Sequence, residues 1–99
     1  MANKLNHEDK KNFISAQTKN GWQYIKENDS IYKKFEFKNF VDAFSWMTKV
    51  ALFAEKINHH PEWFNVYKIV EVTLKTHDVN SLSDLDKKLS EKMDLFFVE

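Results

Sequence analysis

The hydrophobic residues of this chain change their spacing at Asn39, and this change constrains the fold more than any other feature. Before Asn39, two short runs near residues 22–26 and 31–37 flank a polar turn, which predicts a β-hairpin. Beyond it, apolar residues recur at three- and four-residue intervals as far as Asn58, which predicts a long amphipathic helix. The members of this stripe are Phe40, Ala43, Phe44, Met47, Val50, Ala51 and Ala54.

The remaining elements complete a mixed fold of helices and sheet. A first helix is predicted over residues 7–18, behind the capping residue Asn6. Residues 66–75 alternate apolar and polar side chains, as a half-buried strand does. Ser83, with Asp86 three residues further on, resembles a capping box at the start of a last helix. This order predicts an α+β fold, an antiparallel β-sheet of about four strands with three α-helices packed on one face.

The amino-acid composition indicates which classes of ligand and partner to expect. Fifteen lysines and no arginine stand against 15 acidic residues, so neither nucleic acid nor a membrane surface is an expected partner. The single glycine, Gly21, excludes glycine-rich phosphate loops, and a neutral small molecule is the expected ligand. Because the chain has no cysteine, no secretion signal and no apolar run of membrane-spanning length, we expect a cytoplasmic protein. Residues 1–99 are expected to form a single domain.

Three of the four histidines lie around the predicted strand region. His59 and His60 stand where the long helix ends, and His77 stands where the strand ends. If the chain after Pro61 folds back as a short strand, His77 returns to the edge that carries the pair. Two imidazoles can hold opposite protonation states near neutral pH, so such a pocket suits a reaction that removes one proton and delivers another. Trp63 would supply a flat apolar wall for a ring-shaped ligand.

The same residues are also compatible with structural roles and with a metal site. A histidine in a loop is often only a surface residue, and three histidines can also ligate zinc, although adjacent histidines on one turn seldom converge on one ion. Glu55 either orients an imidazole or is a surface charge of the helix. Asp86 either points into the pocket or only caps the last helix. Spacing alone does not separate these alternatives.

Two aromatic residues of the long helix lie off its main stripe. Trp46 and Phe53 are seven residues apart, so they share one face of the helix. A two-layer fold buries only one side of a helix, and these rings therefore predict an interface between subunits. The alternative is that loops or the first helix cover them.

A specific motif surrounds the histidines. It runs from Ala54 to Trp63 through the double histidine and Pro61, and continues in Asn65-Val66-Tyr67, Val72-Thr73-Leu74, Thr76-His77 and Asp86. Upstream, the matching residues are Phe35 to Phe40, Ala43-Phe44, Met47-Thr48 and Val50 to Leu52. These residues closely resemble the pterin-4a-carbinolamine dehydratases, over roughly residues 21–94.

The resemblance implies a dehydratase that converts 4a-hydroxytetrahydrobiopterin to quinonoid dihydrobiopterin and water during tetrahydrobiopterin recycling. No metal and no organic cofactor are implied. His59 and His77 would be the acid and base of the catalytic group, and His60 would complete it by binding and orienting the pterin. The implied substrate-binding residues are Glu55, Pro61, Trp63, Thr76 and Asp86.

The resemblance also implies assembly and an alternative function. Family members form dimers, and tetramers built through the long helix, which would give Trp46 and Phe53 a role. Some members act as dimerisation cofactors of a transcription factor, so a non-catalytic interaction module is the alternative. Many members have glycine where this chain has Ser81. If that position requires a positive φ, serine would displace the loop and Asp86 with it.

Overall fold

The structure, a computed structural model, describes residues 2–97, which form a four-stranded sheet and three α-helices. The elements are α1 (His7–Lys19), β1 (Gln23–Ile25), β2 (Ser30–Glu36), α2 (Phe40–Ile57), β3 (Glu62–Val66), β4 (Ile69–Leu74) and α3 (Asp84–Phe96). Neighbouring strands are antiparallel, in the order β1-β2-β4-β3. The predicted α+β class, with three helices on one face of the sheet, is confirmed.

Asparagine residues fix the boundaries of the first two helices. The side-chain oxygen of Asn6 accepts from the amide of Asp9 at 2.7 Å, and that of Asn39 accepts from the amide of Asp42 at 2.8 Å. At the other end of α2, Asn58 adopts the left-handed conformation, with φ 54° and ψ 45°. This turn carries the chain out of the helix immediately before the histidine pair.

A lysine interrupts the apolar face of β2 without disturbing the core. The Lys33 ammonium lies 2.7 Å from a carboxylate oxygen of Asp94 and 4.7 Å from the centre of the Phe35 ring. Its alkyl stem thus covers apolar surface while its charge is paired at the rim. Gly21, at φ 96°, lets the chain pass close by, because a Cβ there would meet the Lys33 stem at 3.3 Å.

The buried face of α2 is rotated from the predicted one. Trp46 is only 2% exposed, and its indole nitrogen donates to the carbonyl of Met93 at 3.1 Å. Phe40 and Phe44, predicted to face the core, are 46% and 56% exposed. The prediction that Trp46 faces another subunit is therefore wrong, because α3 packs over that side of α2. Phe53 is half-buried beneath a lysine of α3.

An apolar strip consequently remains on the outside of α2. Its members, here called the outer α2 strip, are Phe40, Val41, Phe44 and Leu52, which are 46–70% exposed. The rings of Phe40 and Phe44 pack against each other, with centres 5.8 Å apart. Several exposed apolar side chains on one helix are typical of interaction surfaces. No helix of residues 2–97, α2 included, is long and apolar enough to cross a membrane.

The region predicted as one alternating strand is a hairpin of β3 and β4. Tyr67, in the left-handed region at φ 53°, turns the chain between the two strands. Because the chain after Pro61 forms β3 and then reverses at Tyr67, the end of β4 returns to the start of β3, and Glu62 pairs with Thr73. His77 is therefore brought beside the residues that follow His60.

Candidate active site

The end of α2 fixes the backbone of His59. The amide of His59 donates to the carbonyl of Ala54 at 3.0 Å, and the amide of Asn58 donates to that of Glu55 at 3.2 Å. These bonds satisfy carbonyls that the helix end would otherwise leave open. The His59 side chain is 10% exposed and is directed at α3.

A buried hydrogen-bond network centres on Asp86, whose side chain is 0% exposed. One carboxylate oxygen lies 2.7 Å from His59 Nε2. The other accepts from the hydroxyl of Thr76 at 2.7 Å and from the amide of Ser83 at 2.9 Å. The hydroxyls of Thr76 and Ser83 are also in contact, at 2.5 Å. The predicted capping box of Ser83 and Asp86 is present, so Asp86 both caps α3 and reaches the histidine.

This network gives the two ring nitrogens of His59 different surroundings. Because a carboxylate only accepts, Nε2 donates to Asp86, and the neutral ring then has Nδ1 as an acceptor. No buried side-chain nitrogen or oxygen within residues 2–97 lacks a partner. Nδ1 has no protein partner among those residues, so it reaches solvent. The ring is thus held from one side and open to a ligand on the other.

The other two histidines form exposed pairs with carboxylates. His60 Nε2 lies 2.9 Å from a carboxylate oxygen of Glu55, and the two side chains are 59% and 81% exposed. His77 Nε2 lies 2.7 Å from a carboxylate oxygen of Glu62, and these side chains are 71% and 61% exposed. Each histidine of the motif therefore has its own carboxylate partner.

The three histidines lie at one end of the sheet. His77 contacts Glu62, which is two residues beyond His60 along the chain. Thr76, the neighbour of His77, shares Asp86 with His59. Among residues 2–97, no group of three or more histidine, cysteine or acidic side chains is placed to hold one metal ion.

Pro61 occupies the turn between the histidine pair and β3, and Trp63 is the second residue of β3. Trp63 is half-buried, with its ring centre 6.3 Å from that of Trp46, so it lies on the helix-covered side of the sheet. Its neighbours Glu62 and Phe64 are exposed on the opposite side. Pro61 is half-buried. The tryptophan thus lies on the same side of β3 as α2, the helix that ends two residues before His59.

Serine at position 81 does not displace the loop before α3. The left-handed conformation is taken by Asn80, at φ 49°, and Ser81 has no positive φ. Ser81 and Thr76 exchange two backbone hydrogen bonds, of 3.1 and 3.3 Å. The Ser81 hydroxyl donates to a carboxylate oxygen of Asp29. Asp86 therefore keeps its place in the site.

Asp29 forms a second polar centre in the turn between β1 and β2. Its carboxylate accepts from the Lys10 ammonium at 3.0 Å, from the amide of Leu82 at 3.2 Å, and from the hydroxyls of Tyr24 and Ser81. Burial alone would raise the pKa of Asp29, but these hydrogen bonds outweigh it and hold that pKa well below its ordinary value. Burial, followed by the contact with Asp29, raises the pKa of Tyr24 to about 12.

Comparison with known proteins decides the family. Residues 3–96 match the family described as pterin 4 alpha carbinolamine dehydratase. A protein of Jannaschia sp. (strain CCS1), provisionally named a pterin-4-alpha-carbinolamine dehydratase, is 53% identical over 94 residues, 95% of this chain and 96% of that protein. The chain belongs to the pterin-4-alpha-carbinolamine dehydratase family. A provisionally named dehydratase of Sinorhizobium fredii (strain NBRC 101917 / NGR234) is 60% identical over 74 residues, 75% of this chain and 70% of that protein.

Solved structures of the dehydratase family and its relatives share the fold. The crystal structure of a transcriptional coactivator/pterin dehydratase from Brucella melitensis has a TM-score of 0.87 and 41% sequence identity, over 95% of this chain and 98% of that one. A pterin dehydratase-like protein identified as a RuBisCO assembly factor in the alpha-carboxysome has a TM-score of 0.66 over 77% of this chain and 88% of that one. At 16% identity, the second likeness shows the fold alone.

Two carboxylates of this dehydratase-family chain could not be recognised from the sequence. Glu62 stands inside the matched motif, next to Pro61, but an acidic residue at the start of an edge strand resembles an ordinary surface charge. Asp29 stands in a polar turn, where aspartate is common for local reasons. Its contacts with Ser81 and Leu82 span 52 and 53 residues, and no spacing rule predicts pairs that far apart.

Proposed function

We propose that the protein is a hydro-lyase that removes water from a 4a-hydroxytetrahydropterin and releases the quinonoid dihydropterin. The observation that carries the proposal is the buried His59–Asp86–Thr76 network beside the exposed His77. Family membership supports the reaction class, and the network supports a site built to hold one imidazole still. We further propose that the substrate is 4a-hydroxytetrahydrobiopterin and that the reaction belongs to the recycling of tetrahydrobiopterin in the cytoplasm.

The reaction needs two proton transfers. One proton must reach the 4a-hydroxyl group, so that the carbon–oxygen bond breaks and water leaves. Another must come off a ring nitrogen, whose electron pair forms the new carbon–nitrogen double bond. We assign these transfers to His59 and His77, because an imidazole exchanges protons readily near neutral pH. No net proton is consumed, since one imidazole gives and the other takes.

Asp86 supports this assignment by fixing which nitrogen of His59 is available. With Nε2 directed at the carboxylate, Nδ1 is left to exchange a proton with the substrate. A buried carboxylate that holds an imidazole in one tautomer also stabilises the charged ring when it takes up a proton. Thr76 acts through Asp86, because its hydroxyl occupies the other carboxylate oxygen.

The remaining motif residues suit binding of the pterin. His60 and Glu55 form an exposed pair that can turn toward polar groups of an uncharged heterocycle. Trp63 offers a half-buried aromatic ring close to the turn that Pro61 stiffens. The chain carries no arginine, which agrees with a substrate that lacks phosphate.

Decay of synthetic 4a-hydroxytetrahydropterin, followed by ultraviolet absorbance, tests the proposal. We expect the wild-type protein to accelerate the decay, and the double variant His59→Ala, His77→Ala to return it to the uncatalysed rate. His7→Ala is the matched control, because His7 is exposed in the first turn of α1, outside the motif. A wild-type rate no faster than that of the double variant would refute the proposal.

The same assay separates the alternative function, a non-catalytic interaction module on the same fold. An inactive wild type with an intact fold would favour that alternative. The coactivator role belongs to the Brucella relative by its description, and the assembly-factor role belongs to the carboxysomal protein. A binding module has no need of a histidine held by a fully buried aspartate, and this favours the enzyme.

We also propose that copies of the chain associate through the outer α2 strip. Four apolar side chains of α2, 46–70% exposed, support this surface in place of Trp46. Leu52→Glu should reduce the particle mass measured by light scattering, because the new carboxylate would be buried in the interface. Lys49→Glu, at an exposed position outside the strip, should leave the mass unchanged. A wild-type mass equal to that of one chain would contradict this proposal.

A further inference from the structure

The segment of residues 76–83, here called the His77 loop, carries an exposed histidine whose ring has little packing. The His77 side chain is 71% exposed, and the hydrogen bond found for its ring goes to Glu62, which is 61% exposed. An exposed pair of this kind fixes a side chain weakly, because water competes for both partners. The position of His77 therefore depends on the backbone that carries it.

Hydrogen bonds within the His77 loop join the two ends of its backbone. Thr76 and Ser81 exchange two hydrogen bonds, and the amide of Asn80 donates to the carbonyl of His77 at 3.1 Å. Asn80, at φ 49°, turns the chain back toward Ser81. The loop is therefore a small unit that can be held or displaced as a whole.

Two carboxylates hold this unit from two sides. Asp86 holds it through the hydroxyl of Thr76 at 2.7 Å and belongs to the site described above. Asp29 holds it through the hydroxyl of Ser81 and the amide of Leu82, the latter at 3.2 Å. Asp29 belongs to the β1–β2 turn, so it connects the loop to a different part of the sheet.

We propose that Asp29 and Ser81 are positioning residues for His77. Their hydrogen bond fixes the side of the His77 loop that Asp86 does not reach, and it keeps His77 at the end of the sheet where His59 lies. This inference rests on the proposed function, in which His77 exchanges a proton with the pterin.

Asp29 is suited to positioning the His77 loop because other hydrogen bonds fix its own carboxylate. Lys10 and Tyr24 both donate to its carboxylate, which is only 19% exposed. The same hydrogen bonds hold its pKa well below the ordinary value, so it stays ionised at neutral pH and accepts strongly. The contact between Asp29 and Ser81 therefore joins a charged carboxylate fixed on the sheet to a hydroxyl on the loop.

The test compares Ser81→Ala with Ser90→Ala. Both serines are at most 2% exposed and both use their hydroxyls in hydrogen bonds. Ser90 joins α3 to α1 through Gln17, away from the His77 loop. The two variants therefore lose the same atom from similar surroundings, but only one loses the contact to Asp29.

We expect Ser81→Ala to lower kcat for dehydration about 10-fold, with KM changed by less than about 2-fold, because a small misplacement of a proton-transfer group slows chemistry more than binding. Hydrogen exchange at the amides of Asn80, Ser81 and Leu82 should accelerate by at least about 10-fold, as expected for local opening. Ser90→Ala should change neither kcat nor these exchange rates. Asp29→Ala combined with Ser81→Ala should be no slower in catalysis than Asp29→Ala alone, since Asp29→Ala already removes the oxygen to which the Ser81 hydroxyl donates.

Two results would overturn the proposal. One is a Ser81→Ala variant with wild-type kcat and wild-type exchange at the three loop amides. The other is a loss of kcat in Ser90→Ala as large as that in Ser81→Ala, which would reveal a general effect of stability. If the wild type catalyses no dehydration, the proposed function fails, and the hydrogen-exchange rates of Ser81→Ala and Asp29→Ala then decide whether the Asp29–Ser81 contact holds the loop.

Discussion

The His59–Asp86 pair and the His77–Glu62 pair have the same nitrogen-to-oxygen distance but opposite surroundings. Both distances are 2.7 Å. The side chains are 10% and 0% exposed in the first pair, and 71% and 61% exposed in the second. The same contact in a low-dielectric interior is far stronger than in water. Distance alone therefore does not tell how firmly each histidine is held.

The two histidines are positioned by different means. His59 is held through its ring, by a carboxylate that also binds Thr76 and Ser83. His77 is held through its backbone, by the loop that Asp29 and Ser81 secure. One imidazole is thus fixed in tautomer and direction, while the other is free to turn between its partner and a ligand.

The largest expected effect comes from Asp86→Asn. Three donors converge on two carboxylate oxygens, and an amide nitrogen cannot accept from any of them. The free energy of unfolding should fall by about 2–3 kcal/mol, because buried groups lose partners. Dehydration kcat should fall by at least about 100-fold, because His59 would be left in the wrong tautomer. Urea unfolding and the absorbance assay measure the two effects.

Glu62→Gln is the matched control for that variant. It makes the same replacement in the exposed pair and should change the free energy of unfolding by less than about 0.5 kcal/mol. Equal losses of stability in the two variants would remove the contrast between the pairs.

His59 and His77 themselves should also differ, by a smaller amount, in their contribution to the free energy of unfolding. His59→Ala should cost about 2 kcal/mol of unfolding free energy, since it leaves an oxygen of Asp86 buried without its donor. His77→Ala should stay within about 0.5 kcal/mol of the wild type, as is usual for exposed positions. Thermal or urea unfolding at neutral pH gives both values. A His77→Ala variant that loses as much stability as His59→Ala would show that the exposed pair is energetically important.

The smallest effect concerns Asp29, and it diminishes in acid. Its pKa is lowered in the folded protein, so its contribution to stability is complete above its ordinary pKa of about 4 and is lost as pH falls toward the folded value. Asp29→Asn should therefore be less stable than the wild type by about 1–2 kcal/mol at pH 7, with the difference shrinking below about pH 4. Urea unfolding at pH 7, 5 and 3 measures this. A difference that persists unchanged at pH 3 would contradict the ionised contacts to Lys10 and Tyr24.

The helix boundaries and the capping residues could be predicted because each depends on residues that are close together in the sequence. The end of α2 at Asn58, the helix behind Asn6 and the capping box of Ser83 with Asp86 all follow from spacing and cap chemistry. Which face of α2 is buried could not be predicted from such patterns. Apolar side chains surround much of this helix, and packing of α3 against one side of it buries Trp46 and leaves Phe44 exposed.

The site was partly predictable for the same reason. His59 and His60 stand out as titratable residues beside a proline, His77 as one at the end of a strand, and Asp86 stands out at a cap. The partnership of His59 with Asp86 crosses 27 residues, and only packing of α3 against the end of α2 determines it. Glu62 and Asp29 resemble surface and turn residues along the chain, because their partners are set by the hairpin of β3 and β4 and by the His77 loop.

A double-mutant cycle on the dehydration rate of 4a-hydroxytetrahydropterin tests most directly whether the two histidines serve one reaction. Groups that act as a unit show strongly non-additive effects. We predict that His59→Ala and His77→Ala each remove most of the activity, and that the double variant is no slower than the slower single variant. Independent effects that multiply in the double variant, or wild-type activity in either single variant, would contradict a shared role of the two imidazoles.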